Sequence, residues 1–136
     1  MLVRLIACGL SSKPIPVGKN TIMSLPDQAI DRVALYFRAL SDPTRLTILN
    51  ALRVRERSVG ELTELARCSQ ANISKHLKVL ADTGIVTRTA HGTSTIVSVA
   101  DPAIYELCEL VCGSVERGLE KDVALHQALS AARSEP

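Results

Sequence analysis

Between residues 25 and 40 apolar side chains fall at Ile30, Val33, Ala34, Phe37 and Leu40, the spacing that lines one face of an α-helix. "SDPTR" follows, with Asp42 placed to cap a second helix and Pro43 at its first position. That helix carries Leu46, Ile48, Leu49 and Leu52, and the charged run "RVRERS" breaks it. A short third helix, Val59–Ala66, turns Leu62 and Leu65 inward. Ser69 then caps a fourth helix from Gln70 to about Asp82, whose inward residues Ile73, Leu77 and Leu80 are spaced i, i+4, i+7. Gly84 ends it in the C′ position. The β-branched stretch "IVTRTAHGTSTIVSV" predicts a two-stranded hairpin turning at His91–Gly92. Asp101 and Pro102 restart a helix, and patterning weakens after Ala124.

The order helix, helix, helix, helix, hairpin, helix describes a mainly α chain with a small β-hairpin. A short helix, a tight turn, a second helix and a hairpin make a winged helix-turn-helix. The 136 residues form one domain over 23–125, followed by a flexible tail at 126–136. Residues 1–22 contain "SSKPIPVGKN" and read as a disordered arm, or as a stretch upstream of a true start at Met23. "LIAC" at Leu5–Cys8 looks like a lipoprotein cleavage box, but the seven residues before the cysteine are too few for a signal peptide. No stretch is long and apolar enough to span a membrane.

Composition and charge sharpen this picture. Aromatic residues are limited to Tyr36, Phe37 and Tyr105, so the core is aliphatic. Net charge is only +2, yet residues 38–92 carry nine Lys/Arg against five Asp/Glu, while 93–136 carry three against seven. A basic middle beside an acidic end fits a polyanionic partner for the middle, and also ordinary solvated charge.

On the fourth helix, packing Ile73, Leu77 and Leu80 inward places Ala71, Asn72, Lys75 and Lys78 on the opposite face, with Ser69, Gln70, Ser74 and His76 beside them. Gln and Asn suit adenine edges, Ser suits either base partner, and Lys suits phosphate. Arg88 and His91 lie on the hairpin, where a wing touches the DNA backbone or minor groove. The competing reading is a solvated polar face on a structural helix; the hairpin directly after it favours DNA.

"ALSDPTRLTILNAL", "SVGELTELARCSQANISKHLKVLADTGIV" and "VADPAIYELCELV" resemble the ArsR/SmtB family of bacterial repressors over roughly residues 25–120. The resemblance implies a winged-helix homodimer, joined through its first and last helices; the four cysteines show no secreted disulfide framework, and a reducing cytoplasm is the expected location. The resemblance also implies an operator-DNA partner and an inducer, usually a metal or metalloid ion, that weakens DNA binding; no enzyme activity and no permanent cofactor are implied. The family's known sensing positions are largely without ligands here. The Cys-Val-Cys site of the third helix matches Ser58-Val59-Gly60, and the zinc site of the last helix matches Asp101, Ala103, Ser114 and Arg117. The thiol of a persulfide-sensing branch matches the neighbourhood of Asn50.

What remains is Cys108 and Cys112 in "YELCELVCGSVE". At i and i+4 on a helix two thiols share a face and can chelate one soft ion. The same spacing is poor for a mutual disulfide, because the Cβ vectors run roughly parallel. Zinc wants four ligands, whereas trivalent arsenic or antimony is content with three or two. Water, Cys68 or a partner subunit's thiol would supply a third. Against chelation stands plain packing: Ile104, Cys108, Val111, Cys112, Val115 and Leu119 form one stripe suited to a dimer interface. Two further readings are a thiol-redox or persulfide-responsive repressor of the same fold, and a cysteine-dependent redox enzyme. The enzyme reading lacks an accompanying His–Asp pair or phosphate loop.

Overall fold

The computed structural model describes residues 25–134. The arm expected at 1–22, with Cys8, lies outside the described residues. Five helices and three short strands follow in the order α1 (Asp27–Leu40), α2 (Pro43–Leu52), β1 (Arg57–Ser58), α3 (Val59–Ala66), α4 (Gln70–Asp82), β2 (Val86–His91), β3 (Ser94–Val99) and α5 (Ala103–Ser134). They fall into two compact units, one ending at Pro102 and the other containing α5.

In the first unit local signals set the helix ends. The Asp42 side chain accepts the Arg45 N–H at 3.0 Å, and Pro43 occupies the first turn of α2. Ser58 and Glu61 form a reciprocal capping box at the start of α3. Ser69 Oγ accepts the Asn72 N–H at 3.2 Å and opens α4. At its other end Gly84, at φ +77°, donates to the Ala81 carbonyl, and Ile85 donates to Leu80. That pair of bonds is the Schellman pattern. Between α3 and α4 the chain reverses through Arg67, a non-glycine residue at φ +53°.

The core is aliphatic throughout. Ile48, Leu49 and Leu52 of α2, Leu62 of α3, and Ile73, Leu77 and Leu80 of α4 are buried together with Ile85, Val86 and Val97. Burying one such side chain is worth roughly 1.5–3 kcal/mol, so the triad on α4 holds that helix by its inner face and leaves the outer face to solvent.

Several details depart from the sequence expectations. The hairpin is part of a three-stranded antiparallel sheet of order β1-β3-β2, with Arg57 opposite Val97 and Ser58 opposite Ile96. The third strand arises inside the charged run because Ser58 must be extended to cap α3, and Arg57 Nε is anchored on the Ala51 carbonyl at 3.0 Å. The turn of the hairpin is Gly92–Thr93, one residue later than expected, with Gly92 at φ +62°. Leu65 is half exposed instead of inward. The α1 stripe is helical as expected, but Ile30, Val33 and Phe37 stay about half exposed, and the buried residue of this helix is Ala39.

The second unit contains α5, 32 residues long, or about 48 Å at 1.5 Å per residue. It continues through 126–134, part of the expected tail. Between residues 119 and 134 the chain has no Gly or Pro and is rich in Ala, Leu, Glu, Gln and Lys, so propensity carries the helix where apolar periodicity fades. Leu110, Val111, Val115, Leu119, Val123, Leu125 and Leu129 are exposed along it.

Candidate nucleic-acid interface and thiol pair

α3, the tight turn at 67–69 and α4 build a helix-turn-helix, and the β2–β3 hairpin follows as a wing. Ser69, Gln70, Ala71, Asn72, Ser74, Lys75 and Lys78 are all exposed, as are Arg88 and His91 on β2. Within the first unit α4 and the hairpin flank a cleft of about 300 Å³. Gln70 and Ser74 line it from the helix, Arg88 and Ser94 from the hairpin, and Ser58 and Gly60 from the start of α3. Of the residues expected to contact DNA, Gln70, Ser74 and Arg88 therefore meet in one groove, while Ser69, Ala71, Asn72, Lys75, Lys78 and His91 are exposed outside its lining. The hydroxyl-rich wing tip, Thr93 to Thr95, also lines it; its polarity was the available sign, but only the hairpin register brings it round to α4.

The helix N-terminus adds to this surface. Ser69 satisfies the Asn72 N–H; a helix start leaves its first amides without intrahelical acceptors, at the positive end of the dipole. Lys75 sits one turn further on. Lys78 is paired along the helix with Asp82, Nζ to Oδ2 at 2.7 Å, and two-thirds exposed; such a pair is weak enough to open toward phosphate.

His76 differs from the rest of the set. Its side chain is only 15% exposed and lies 3.6 Å from Asp42 Oδ1, Nδ1 to oxygen. Arg45 Nη1 approaches the same nitrogen at 3.5 Å. This imidazole is turned toward the start of α2, not outward with Lys75 and Lys78. Arg45 also donates from Nη2 to the Arg38 carbonyl at 2.9 Å and from Nε to the Ala39 carbonyl, both at the C-terminal end of α1. The backbone N–H of Arg45 holds the Asp42 carboxyl below its ordinary range; burial opposes this, and the Arg45 charge reinforces it.

Among the described residues Cys68, Cys108 and Cys112 are thiols, and each is partly exposed. Cys68 lies in the helix-turn-helix turn, with its Sγ 3.3 Å from the Ala66 carbonyl. Cys108 and Cys112 lie one turn apart on α5, on a shared face. Among the described residues no three His, Cys, Asp or Glu side chains come together as a metal cluster; the thiol pair offers two sulfur donors. Two sulfurs and no carboxylate or imidazole make a donor set for a soft ion. Among the described residues no helix is long and apolar enough to cross a membrane.

Fold and surface together define a winged helix-turn-helix DNA-binding regulator. Residues 42–88, spanning α2 into β2, match the model of the arsR family of bacterial regulatory proteins. The chain is 37% identical over 97 residues to a probable mercury resistance operon repressor of Streptomyces lividans, covering 71% of this chain and 78% of that one. It is 35% identical over 79 residues to the arsenical resistance operon repressor of Bacillus subtilis, covering 56% and 75%. A solved homodimeric winged helix-turn-helix DNA-binding domain from Mycobacterium bovis superposes with a TM-score of 0.63 at 26% identity, over 74% of this chain and 95% of that one. The chain belongs to the ArsR family.

Proposed function

We propose that the protein is a homodimeric transcriptional repressor that reads operator DNA through α4 and the wing, and that a thiophilic ion at Cys108 and Cys112 releases it. The observation that carries the DNA reading is the exposed polar row on α4, whose Gln70 and Ser74 share one groove with Arg88 of the wing. Gln70, Asn72 and Ser74 near the N-terminal end face base edges in the major groove, Lys75 and Lys78 face phosphates, and Arg88 and His91 work from the wing. Dimerisation is supported by the uncovered apolar row Ile30, Val33 and Phe37 of α1, by the exposed apolar residues of α5, and by the homodimeric state of the Mycobacterium bovis domain.

The sensing reading rests on the thiol pair of α5. Trivalent arsenic or antimony would take both thiolates, with water or a partner subunit's thiol completing the set. A second reading is mercury(II), a soft ion satisfied by two thiolates; the pair on α5 and the likeness to the mercury resistance repressor favour it. In either case the ion acts by binding the DNA-incompetent state more tightly than the DNA-bound one. The test measures binding to the DNA upstream of the protein's own gene by fluorescence anisotropy, with arsenite, antimonite, mercuric, zinc and peroxide additions. Wild type should release on one or more of the thiophilic ions. Cys108→Ser/Cys112→Ser should bind the same DNA with the same affinity and ignore that ion. A double variant that still releases normally places the sensing site elsewhere, and release by peroxide alone would favour the thiol-redox repressor.

A further inference from the structure

The Asp42–Arg45–His76 cluster sits where three helices come together: the end of α1, the start of α2 and the middle of α4. Its geometry is asymmetric. Arg45 is committed to α1 through two carbonyls and to α2 through its own backbone, because its N–H closes the Asp42 cap. Toward α4 it has one contact, the His76 Nδ1 at 3.5 Å, which is the outer limit of a hydrogen bond. Asp42 Oδ1 lies 3.6 Å from that nitrogen, beyond hydrogen-bond length, and bears on the junction by accepting the Arg45 N–H. His76 neighbours Lys75 and lies one turn beyond Asn72, so a small rotation about this point swings the outward row of α4. The apolar triad of Ile73, Leu77 and Leu80 fixes depth, but dispersion contacts are not directional. A polar contact on the helix flank is directional.

We infer that this junction positions α4 for DNA: Arg45, set in place by the Asp42 cap and the two α1 carbonyls, donates to His76 Nδ1 and holds it, and through it the rotation of the reading helix, against the corner between α1 and α2. His76 is then a positioning residue and not a DNA contact, and the α1 end becomes mechanically tied to the reading helix. This rests on the DNA-reading function proposed above. It gives Arg45, which the sequence offers only as part of a helix start, a role at His76, 31 residues away in the chain.

The test compares His76→Leu with His76→Asn in the full-length protein. The Asn side-chain oxygen falls close to the place of Nδ1 and keeps an acceptor for Arg45; Leu fills the site without one. His76→Leu should weaken operator binding about tenfold, while His76→Asn stays within about threefold of wild type. Both should keep the wild-type slope of affinity against salt, because no phosphate contact is removed. Wild-type affinity in the Leu variant, equal loss in both variants, or a shallower salt slope would overturn the inference. A denaturant double-mutant cycle of Arg45→Gln with His76→Leu reads the junction without DNA. Non-additive midpoint shifts are expected, and additive ones overturn it. Should the wild-type protein bind no promoter DNA, the functional reading fails, and this cycle still decides whether the junction exists.

Discussion

Glu61 shows how one side chain can serve two neighbours. Its carboxylate takes the Arg55 guanidinium and the Ser58 N–H at 2.9 Å, and its pKa falls from 4.5 to about 2, first through Arg55 and then through the Ser58 amide. A carboxyl held lower in the folded state favours folding above its unfolded value, and the benefit fades as pH drops from about 4.5 toward 2. Glu61→Gln, which can keep the cap but cannot titrate, should therefore flatten the acid limb of a stability-against-pH curve in that window; a variant with an unchanged acid limb would contradict the lowered carboxyl. At this scale much was legible. Asp42, Ser69 and Gly84 announce themselves because a cap or a left-handed turn is decided within four residues. His76 did not, because its partners lie on α2 and its orientation depends on how two helices cross. Leu65 was misread for a related reason: in an eight-residue helix the period allows both Leu62 and Leu65 inside, and only packing chooses Leu62.

At the scale of elements α4 was the most readable, since its three buried residues repeat at helical spacing and its ends carry their own signals. Gly84 closes it, and nothing lies within 4 Å of where a Cβ would sit. Gly84→Ala should thus cost backbone strain without a clash. A left-handed alanine costs roughly 1–2 kcal/mol, partly offset by a stiffer unfolded chain, which leaves about 1 kcal/mol of destabilisation in a urea melt. No loss at all would mean that the Schellman turn is not held in the folded state. β1 was not legible: two residues in a run of charge have no alternation to detect, and their pairing is imposed by β3. The length of α5 was missed because its last third lacks an apolar stripe, although its composition favours helix throughout.

At the scale of the whole molecule, apolar side chains on α1 and on α5 stand about half exposed. The sequence showed the stripe on α1 as clearly as the one on α4, but periodicity cannot say whether a stripe meets its own chain or another. Phe37 is 52% exposed, so Phe37→Glu should leave the fold of one chain intact while opposing association of two. Sedimentation velocity should then show a monomer where wild type gives a dimer, with operator affinity lost in parallel; a dimeric Phe37→Glu protein would move the interface away from α1. The most direct measurement is the affinity of wild-type protein for its upstream DNA across a salt series, repeated with Lys75→Ala. The expected result is a steep fall of affinity with salt for wild type, and a log–log slope reduced by about 1 per altered phosphate contact in the variant. A wild-type protein whose binding is absent, or indifferent to salt, would contradict the assignment of α4 and the wing as a DNA-reading surface.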